Sequence, residues 1–486
     1  MTPVRSAVAF HEEIRKQIEA GNLDAALRRI HGVVEQVFFE PINTAQVFGS
    51  KLLDDLCQEI GAVHWRRMRG DTTSKPASGQ DGREAESVTL YIVSKLYASG
   101  GHTLALADII RLGPPTRSVI LVTGVVGATD RTAIQQRFDR IPNLSFMYAP
   151  RGSHLSKLDW LQRKILELAP KSVWLFNHHP DSVAIAAVQP DAGYQVRFYH
   201  HGDHHLCLGV HLCYADHIDM HTMGFHNCRH HLGIRENRYL PLVANDPGKH
   251  PEIPMETPAA GFVTCTAAGA NKVEAPYCVR YVDVVPGLLH ATGGRHIHIG
   301  PLSPIALFRI RQGMRKLGLP RSAFVHIPFV SSLWKALQEH GVNLYVASFP
   351  YGGARTLIEA MGAGVAVVLH AHHSSRLLST FDMAYDGAFF WRDPEELFAY
   401  VSGLNPTELQ RQGRLARQHY EQHFREELLT NALVNPQQAP SPPPLHEGYF
   451  NDALLRALDI AKQVSFSGVL KRNIRHMLAR FKSIFG

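Results

Sequence analysis

The chain lacks a membrane-spanning run: no stretch approaches the roughly eighteen consecutive apolar residues that crossing a bilayer requires. It also lacks the apolar core of a secretory signal, because Glu12 and Glu13 interrupt the opening MTPVRSAVAFHEEIRKQ at once. Cysteine is sparse. The six present (Cys57, Cys207, Cys213, Cys228, Cys265, Cys278) follow no disulfide-framework spacing in 486 residues, so reduced thiols and a cytoplasmic location are expected. A strong excess of one charge is missing too. Fifty Lys and Arg against 43 Asp and Glu leave a net charge of +7, spread along the chain. That balance suits an anionic substrate or lipid surface and does not indicate nucleic acid. A composition 45% hydrophobic and 19% charged excludes disorder, and the length allows two or three domains, each with its own core.

What is present is an alternation of apolar runs and helical stretches. Residues 1–70 read as helices, with apolar positions at helical spacing on both sides of Gly21-Asn22. EAGNLDAALRRI looks like one tetratricopeptide-like hairpin, and a single copy does not make a repeat array. The turn-rich stretch 72–86 reads as a linker. Residues 88–246 then alternate strands (88–94, 118–123, 172–176, 194–199) with helices (103–110, 131–138, 155–168). A Pro-rich connector, 247–258, leads to a second block of the same kind, 259–425, with strands at 262–266, 296–299, 323–327, 343–347 and 365–369. The expected fold class is therefore α/β: two doubly wound, Rossmann-like domains behind an N-terminal helical region.

The most informative segment is FPYGGARTLIEAMGAGVAVVL, residues 349–369. Strand, glycine turn, helix and strand form a parallel crossover unit, and the glycines admit a ligand to the backbone at a helix start that favours phosphate. Arg355 and Glu359 share one helix face. This segment resembles the nucleotide-sugar loop of GT-B glycosyltransferases, and the resemblance extends over residues 88–425. It implies that Gly352, Gly353, Ala354, Arg355 and Thr356 meet a diphosphate and that Glu359 meets the ribose. Many retaining members carry an earlier Glu where this chain has Tyr351, so the stereochemical outcome stays open. In the loop after strand 262–266, Lys272 (with Asn271 alongside) resembles the basic residue that neutralises the leaving diphosphate. His298, Gly300-Pro301 and 326–329 are candidates to frame the base. The first domain opens with a strand, Gly100-Gly101 and a helix, which suggests a phosphate loop of Gly100, Gly101 and His102. The donor is then a nucleotide diphosphate-sugar, with no obligatory cofactor or metal, and the acceptor a polysaccharide, lipid or protein.

The segment 200–231 holds ten histidines, three cysteines and three aspartates. Its first residues follow a strand, where α/β proteins build sites, so His201 or Asp203 is a candidate general base. Two other readings draw on the same residues. Imidazole and thiolate could bind Zn²⁺ or a related ion, although neither zinc-finger nor HExxH spacing is present. NHHPDSVAIA (177–186) and GDHH (202–205) faintly resemble the metal-dependent phosphoesterases named for an Asp-His-His motif. Finally, residues 446–486 are expected to form helices behind a stiff spacer at 436–444. Leu470, Ile474, Met477, Leu478, Phe481 and Phe485 lie at helical spacing among Lys471, Arg472, Arg475, Arg480 and Lys482. Such a basic amphipathic helix either docks on its own domain or attaches peripherally to the anionic inner face of a membrane.

Overall fold

A computed structural model describes residues 3–71, 87–97, 100–246 and 261–463. The two linkers read at 72–86 and 247–258 and the basic tail beyond 463 lie outside the described residues. Among the described residues no helix is long and apolar enough to cross a membrane. The chain divides into two compact units: residues up to Met220 with Asn227–Arg238, and His221–His226 with the described residues from Tyr239 on.

The first unit is built on β1 (Val88–Val93), β2 (Arg117–Val122), β3 (Leu144–Tyr148), β4 (Ser172–Phe176), β5 (Gln195–His200), β6 (Asp216–Asp219) and β7 (Arg238–Tyr239). The sheet order is β3-β2-β1-β4-β5-β6-β7, with parallel pairing from β3 across to β6. The order reverses between β1 and β4. In such sheets the loops leaving the two central strands diverge there and leave a crevice beyond their C-terminal ends. Strands β1 and β4 are buried along their whole length, which explains their continuous apolar runs.

The N-terminal helices Pro3–Glu19, Leu23–Phe39 and Lys51–Asp71 share their core with this sheet. Ile14, Leu27, Leu56 and Ile60 pack in one cluster with Leu90, Val119, Leu175 and Ile185. Polar bonds lock the join. Ser182 Oγ donates to the Leu27 carbonyl (2.9 Å), and Gln58 Nε2 donates to the Ile185 and Val188 carbonyls (2.6 and 3.1 Å). Asp54 accepts from the Gly209 and His211 amides (2.7 and 2.9 Å). The hairpin at Gly21 is thus one layer of an α/β unit.

The second unit contains β8 (Val263–Ala267), β9 (Arg295–Ile299), β10 (Phe324–Ile327), β11 (Leu344–Val346), β12 (Ala366–His370) and β13 (Phe389–Trp391). Its parallel sheet runs β10-β9-β8-β11-β12-β13, reversing between β8 and β11. The expected two doubly wound Rossmann-like sheets are both present.

One expectation is corrected. The stretch 436–444 does not stand clear as a spacer: it opens with the 3-10 turn Pro436–Gln438 and leads into a docked strap. Within the second unit, His226 Nε2 donates to the Pro443 carbonyl (3.3 Å) and the His446 amide to Asp382 Oδ1 (2.9 Å). Arg376 donates to the His446 carbonyl (2.7 Å) and Tyr449 to the His372 carbonyl (2.5 Å). A proline-rich extended segment makes no hydrogen bonds of its own, so its carbonyls and those of its neighbours remain available to adjacent loops.

A shared core predicts a shared transition. Leu27 is fully buried, and Leu27→Ala should cost the first unit about 2–5 kcal/mol. Urea unfolding followed by far-UV dichroism and by tryptophan fluorescence should give coincident curves shifted together. A separate early transition of the helices alone would contradict the shared core.

Candidate functional site

In the second unit the loops leaving β8 and β11 flank the point where the strand order reverses. The β8 loop runs into the short helical turn Ala270–Val273, which carries Lys272. The β11 loop makes the turn through Gly352 and Gly353 and enters the helix Ala354–Gly362. The two loops meet: the Lys272 ammonium donates to the Gly352 carbonyl. Lys272 is half-buried, and desolvation pushes its pKa down to about 8. Among the described residues no carboxylate pairs with it.

The turn is tied down by its own side chains. Ser348 Oγ donates to the Tyr351 carbonyl and Thr356 Oγ1 to the Gly353 carbonyl, each at 2.9 Å. A Cβ on Gly352 would stand 2.6 Å from the Thr380 amide nitrogen, so the backbone approach admits only glycine. No side chain caps the helix that follows, which leaves its start available to an anion. Arg355 Nε donates to Glu359 Oε1 (3.4 Å) one turn along that helix. Gly352, Gly353, Ala354, Arg355, Thr356, Glu359 and Lys272 therefore fall in one neighbourhood.

His298 is held at both ring nitrogens. Its Nε2 donates to the Ala268 carbonyl (3.1 Å), and its Nδ1 pairs with the Tyr281 hydroxyl (2.8 Å), which also meets His296 Nε2 (2.9 Å). Both ring nitrogens are engaged in holding the ends of β8 and β9. His326 Nε2 likewise donates to the Gly300 carbonyl (2.9 Å).

The first unit gathers its histidines at its own reversal point. His102 enters from the helix after β1, His178 and His179 from the loop after β4, and His201 from the loop after β5. The His102 and His201 rings lie 4.1 Å apart, and His178 meets both edge-on at 4.9 and 5.3 Å. His102 Nε2 donates to the Phe176 carbonyl (3.1 Å), which fixes its tautomer and leaves Nδ1 as a bare lone pair. Nδ1 of His102, His178 and His201 are all buried without a partner among the described residues. Gly100 stands before this helix with a φ of 143°, which favours glycine, while Gly101 begins it. Asp203 is buried, and His204 Nδ1 donates to it at 3.3 Å.

Burial is the dominant influence on these rings. It holds His102, His179 and His201 well below the ordinary imidazole range, with neighbouring histidines adding to the effect. His178 is pushed down to about 4 and His205 to about 2 by the same cause. All are neutral at pH 7. Reading the sequence singled out His201, Asp203 and His102 but not His178 or His179 as partners. The signal was NHHPD directly after a buried strand, with Asp181 buried beneath, accepting from Ser94 and Thr123 (2.6 and 2.8 Å).

A second cluster lies beside the first. His200 closes β5 and is the register partner of Asp219 in β6. His200 Nδ1 donates to Asp219 Oδ1 (3.0 Å), and His217 Nε2 and Cys228 Sγ approach the same oxygen at 3.4 and 3.3 Å. Asn237 donates to Asp219 Oδ2 (2.7 Å). Burial disfavours the Asp219 carboxylate, but His217 and His200 outweigh it and hold the group below its usual range.

The buried neutral histidines predict acid lability. A folded-state pKa below the unfolded value gives stability that is complete above about pH 6.5 and declines as pH falls toward the folded value. His102, His178, His179, His201 and His205 act together, each removing up to about 1.4 kcal/mol per pH unit. Asp54, raised to about 7 by burial, opposes them as a single group. The urea midpoint of the first unit should drop steeply between pH 6.5 and 4, and His205→Phe should flatten the drop. A midpoint that does not fall over this interval would contradict the burial of these rings in neutral form.

No protein-family model and no curated protein matches the sequence. Comparison of folds does find similarity. HepE of Anabaena, solved with UDP and glucose, superposes with a TM-score of 0.53 at 13% identity, over 72% of this chain and 100% of that one. The lipopolysaccharide outer core galactosyltransferase WaaB gives 0.52 at 13% identity, over 72% and 99%. A glycosyltransferase of Rickettsia africae gives 0.53 at 12%, over 71% and 96%. With two parallel sheets, each reversing its strand order at the centre, the chain has the GT-B fold of glycosyltransferases.

Proposed function

We propose that this chain is a glycosyltransferase that moves a sugar from a nucleoside diphosphate-sugar to a hydroxyl or amide acceptor. The observation that carries the reading is the meeting of Lys272 with the Gly352 carbonyl at the foot of an uncapped helix, with Arg355 and Glu359 one turn on. A half-buried cation without a carboxylate suits an incoming diphosphate. HepE is solved with UDP and with UDP-glucose at this fold, which supports a UDP-sugar donor.

In this reading the diphosphate takes the start of the helix Ala354–Gly362, with Gly352, Gly353, Ala354 and Thr356 presenting backbone to it. Lys272 and Arg355 neutralise the charge that grows on the leaving diphosphate, so the transfer step needs no metal. Glu359 accepts the ribose hydroxyls. Gly100, Gly101 and His102 form the phosphate loop of the first unit. His201 removes the acceptor proton through its bare nitrogen, with Asp203 the alternative base at the same strand end. The acceptor is a glycan, lipid or protein. A cytoplasmic location, with attachment at the inner membrane face through the basic tail, completes the reading. The phosphoesterase alternative leaves the Gly352-Gly353 turn without a role and is not carried further.

Calorimetric titration with UDP and GDP tests the donor site. Glu359→Ala should weaken nucleotide binding about tenfold or more, since a hydrogen bond to a charged group contributes roughly 1.5–3 kcal/mol. UDP release from a panel of UDP-sugars, offered with glycan, lipid and peptide acceptors, tests the base. His201→Ala should keep UDP affinity and lose turnover by about 10²–10⁴. Full turnover in His201→Ala, in Asp203→Ala and in the double variant would remove the base assignment. Unchanged UDP affinity in a folded Glu359→Ala protein would remove the donor site.

A further inference from the structure

We infer that His200, His217, Asp219 and Cys228 hold a divalent transition-metal ion, with zinc the best fit, in a closed four-ligand site. The inference is independent of the donor reading. All four side chains are buried, and their ligand atoms lie within 4.8 Å of one another. The measured edges are shorter than that limit: 3.0 Å from His200 Nδ1 to Asp219 Oδ1, 3.4 Å from His217 Nε2 to the same oxygen, and 3.3 and 3.4 Å from Cys228 Sγ to Asp219 Oδ1 and His200 Nδ1. A tetrahedron with metal–nitrogen bonds of about 2.0–2.1 Å and a metal–sulfur bond of about 2.3 Å has edges of roughly 3.3–3.6 Å. The four atoms are thus already gathered at close to ligand spacing.

The sheet does the gathering. Register pairs His200 with Asp219 across β5 and β6, and the two-residue period of a strand puts His217 and Asp219 on one face. Cys228 reaches the cluster from the helix Thr222–His230. Hydrogen bonding alone accounts poorly for this convergence. Three groups crowd one carboxylate oxygen while, among the described residues, the other oxygen takes only Asn237. A metal ion resolves the crowding: with the imidazole protons shifted to His200 Nε2 and His217 Nδ1, each ligand contributes a lone pair to one centre. Binding displaces the Cys228 thiol proton to solvent, so a thiolate and a carboxylate together neutralise a divalent ion in a buried place. Around it, Asn237 holds the Asp219 carboxylate, and Arg229 holds Asn237 through its side-chain oxygen and its carbonyl (both 3.0 Å). Such outer bonds are the usual support of a metal ligand.

Four protein ligands leave no open position, which makes the role structural. His200 is the last residue of β5, and the next residue is His201. A metal here would clamp the strand end from which His201 and Asp203 project, joining it to β6 and to the helix that follows.

Metal analysis of the purified full chain should find about one equivalent of zinc, removed by a strong chelator with a fall in thermal midpoint. Refilling with Co²⁺ should give the intense near-ultraviolet band of a thiolate–cobalt bond together with tetrahedral visible bands. Cys228→Ser should lose the thiolate band, and His102→Ala should retain it. A wild-type chain that takes up neither zinc nor cobalt overturns the inference, whatever the fate of the variants. So does cobalt bound without a thiolate band and lost in His102→Ala, because the ion would then sit among His102, His178 and His201.

Discussion

The hydrogen bond from Lys272 to the Gly352 carbonyl joins the two loops on either side of the strand-order reversal in the second unit. It is a cation held by a dipole rather than by a carboxylate. Burial has already lowered its proton affinity, so its charge is the least compensated feature of that neighbourhood. Around it the turn must be glycine, because the Thr380 backbone leaves no room for a Cβ at position 352. The following helix starts without a cap. Each of these would be a small cost in a protein that bound nothing there. A diphosphate satisfies all of them together, which is why the donor reading rests on this contact.

The first unit solves a different problem with the same topology. Its reversal point collects neutral imidazoles, and four of them (His102, His178, His179 and His201) keep a buried nitrogen without a partner among the described residues. Desolvation keeps these rings uncharged, and uncharged imidazole is the form that accepts a proton or a metal. The adjoining cluster of His200, His217, Asp219 and Cys228 anchors the strand end from which His201 departs. The candidate base is therefore the first residue after the strand end that the cluster holds.

Much of the fold was legible because parallel strands buried on both faces are written as continuous apolar runs. Ser172–Phe176 was read to the residue, and β1, β2, β5, β8 and β12 to within one residue at each end. The strands missed lack that signature. β3 is half-exposed at the sheet edge, β6 reads Asp-His-Ile-Asp, and β7 and β13 are only two and three residues long. The donor turn was visible because glycine spacing and helix period are local. The histidine neighbourhood was not, since His102, His178 and His201 are brought together by strand order, and His200 meets Asp219 by register. Density of histidine in 200–231 announced chemistry without saying which rings would meet. The strap at 443–449 was misread because proline content predicts extension and says nothing of what the extended chain lies against.

The most direct test of the account is the pH dependence of UDP affinity. If Lys272 is a half-buried lysine with a pKa near 8 that binds the diphosphate as a cation, the bound anion raises that pKa and binding takes up a proton. Phosphate ionisation is complete below this range, with its second pKa about 6, so it does not mask the effect. Affinity measured by calorimetry should hold between pH 7 and 7.5 and then weaken toward a limit of about tenfold per unit as pH rises past 8. Lys272→Met should bind UDP more weakly and with a flat profile. A flat profile in the wild-type chain, or an unchanged affinity in Lys272→Met, would contradict the account.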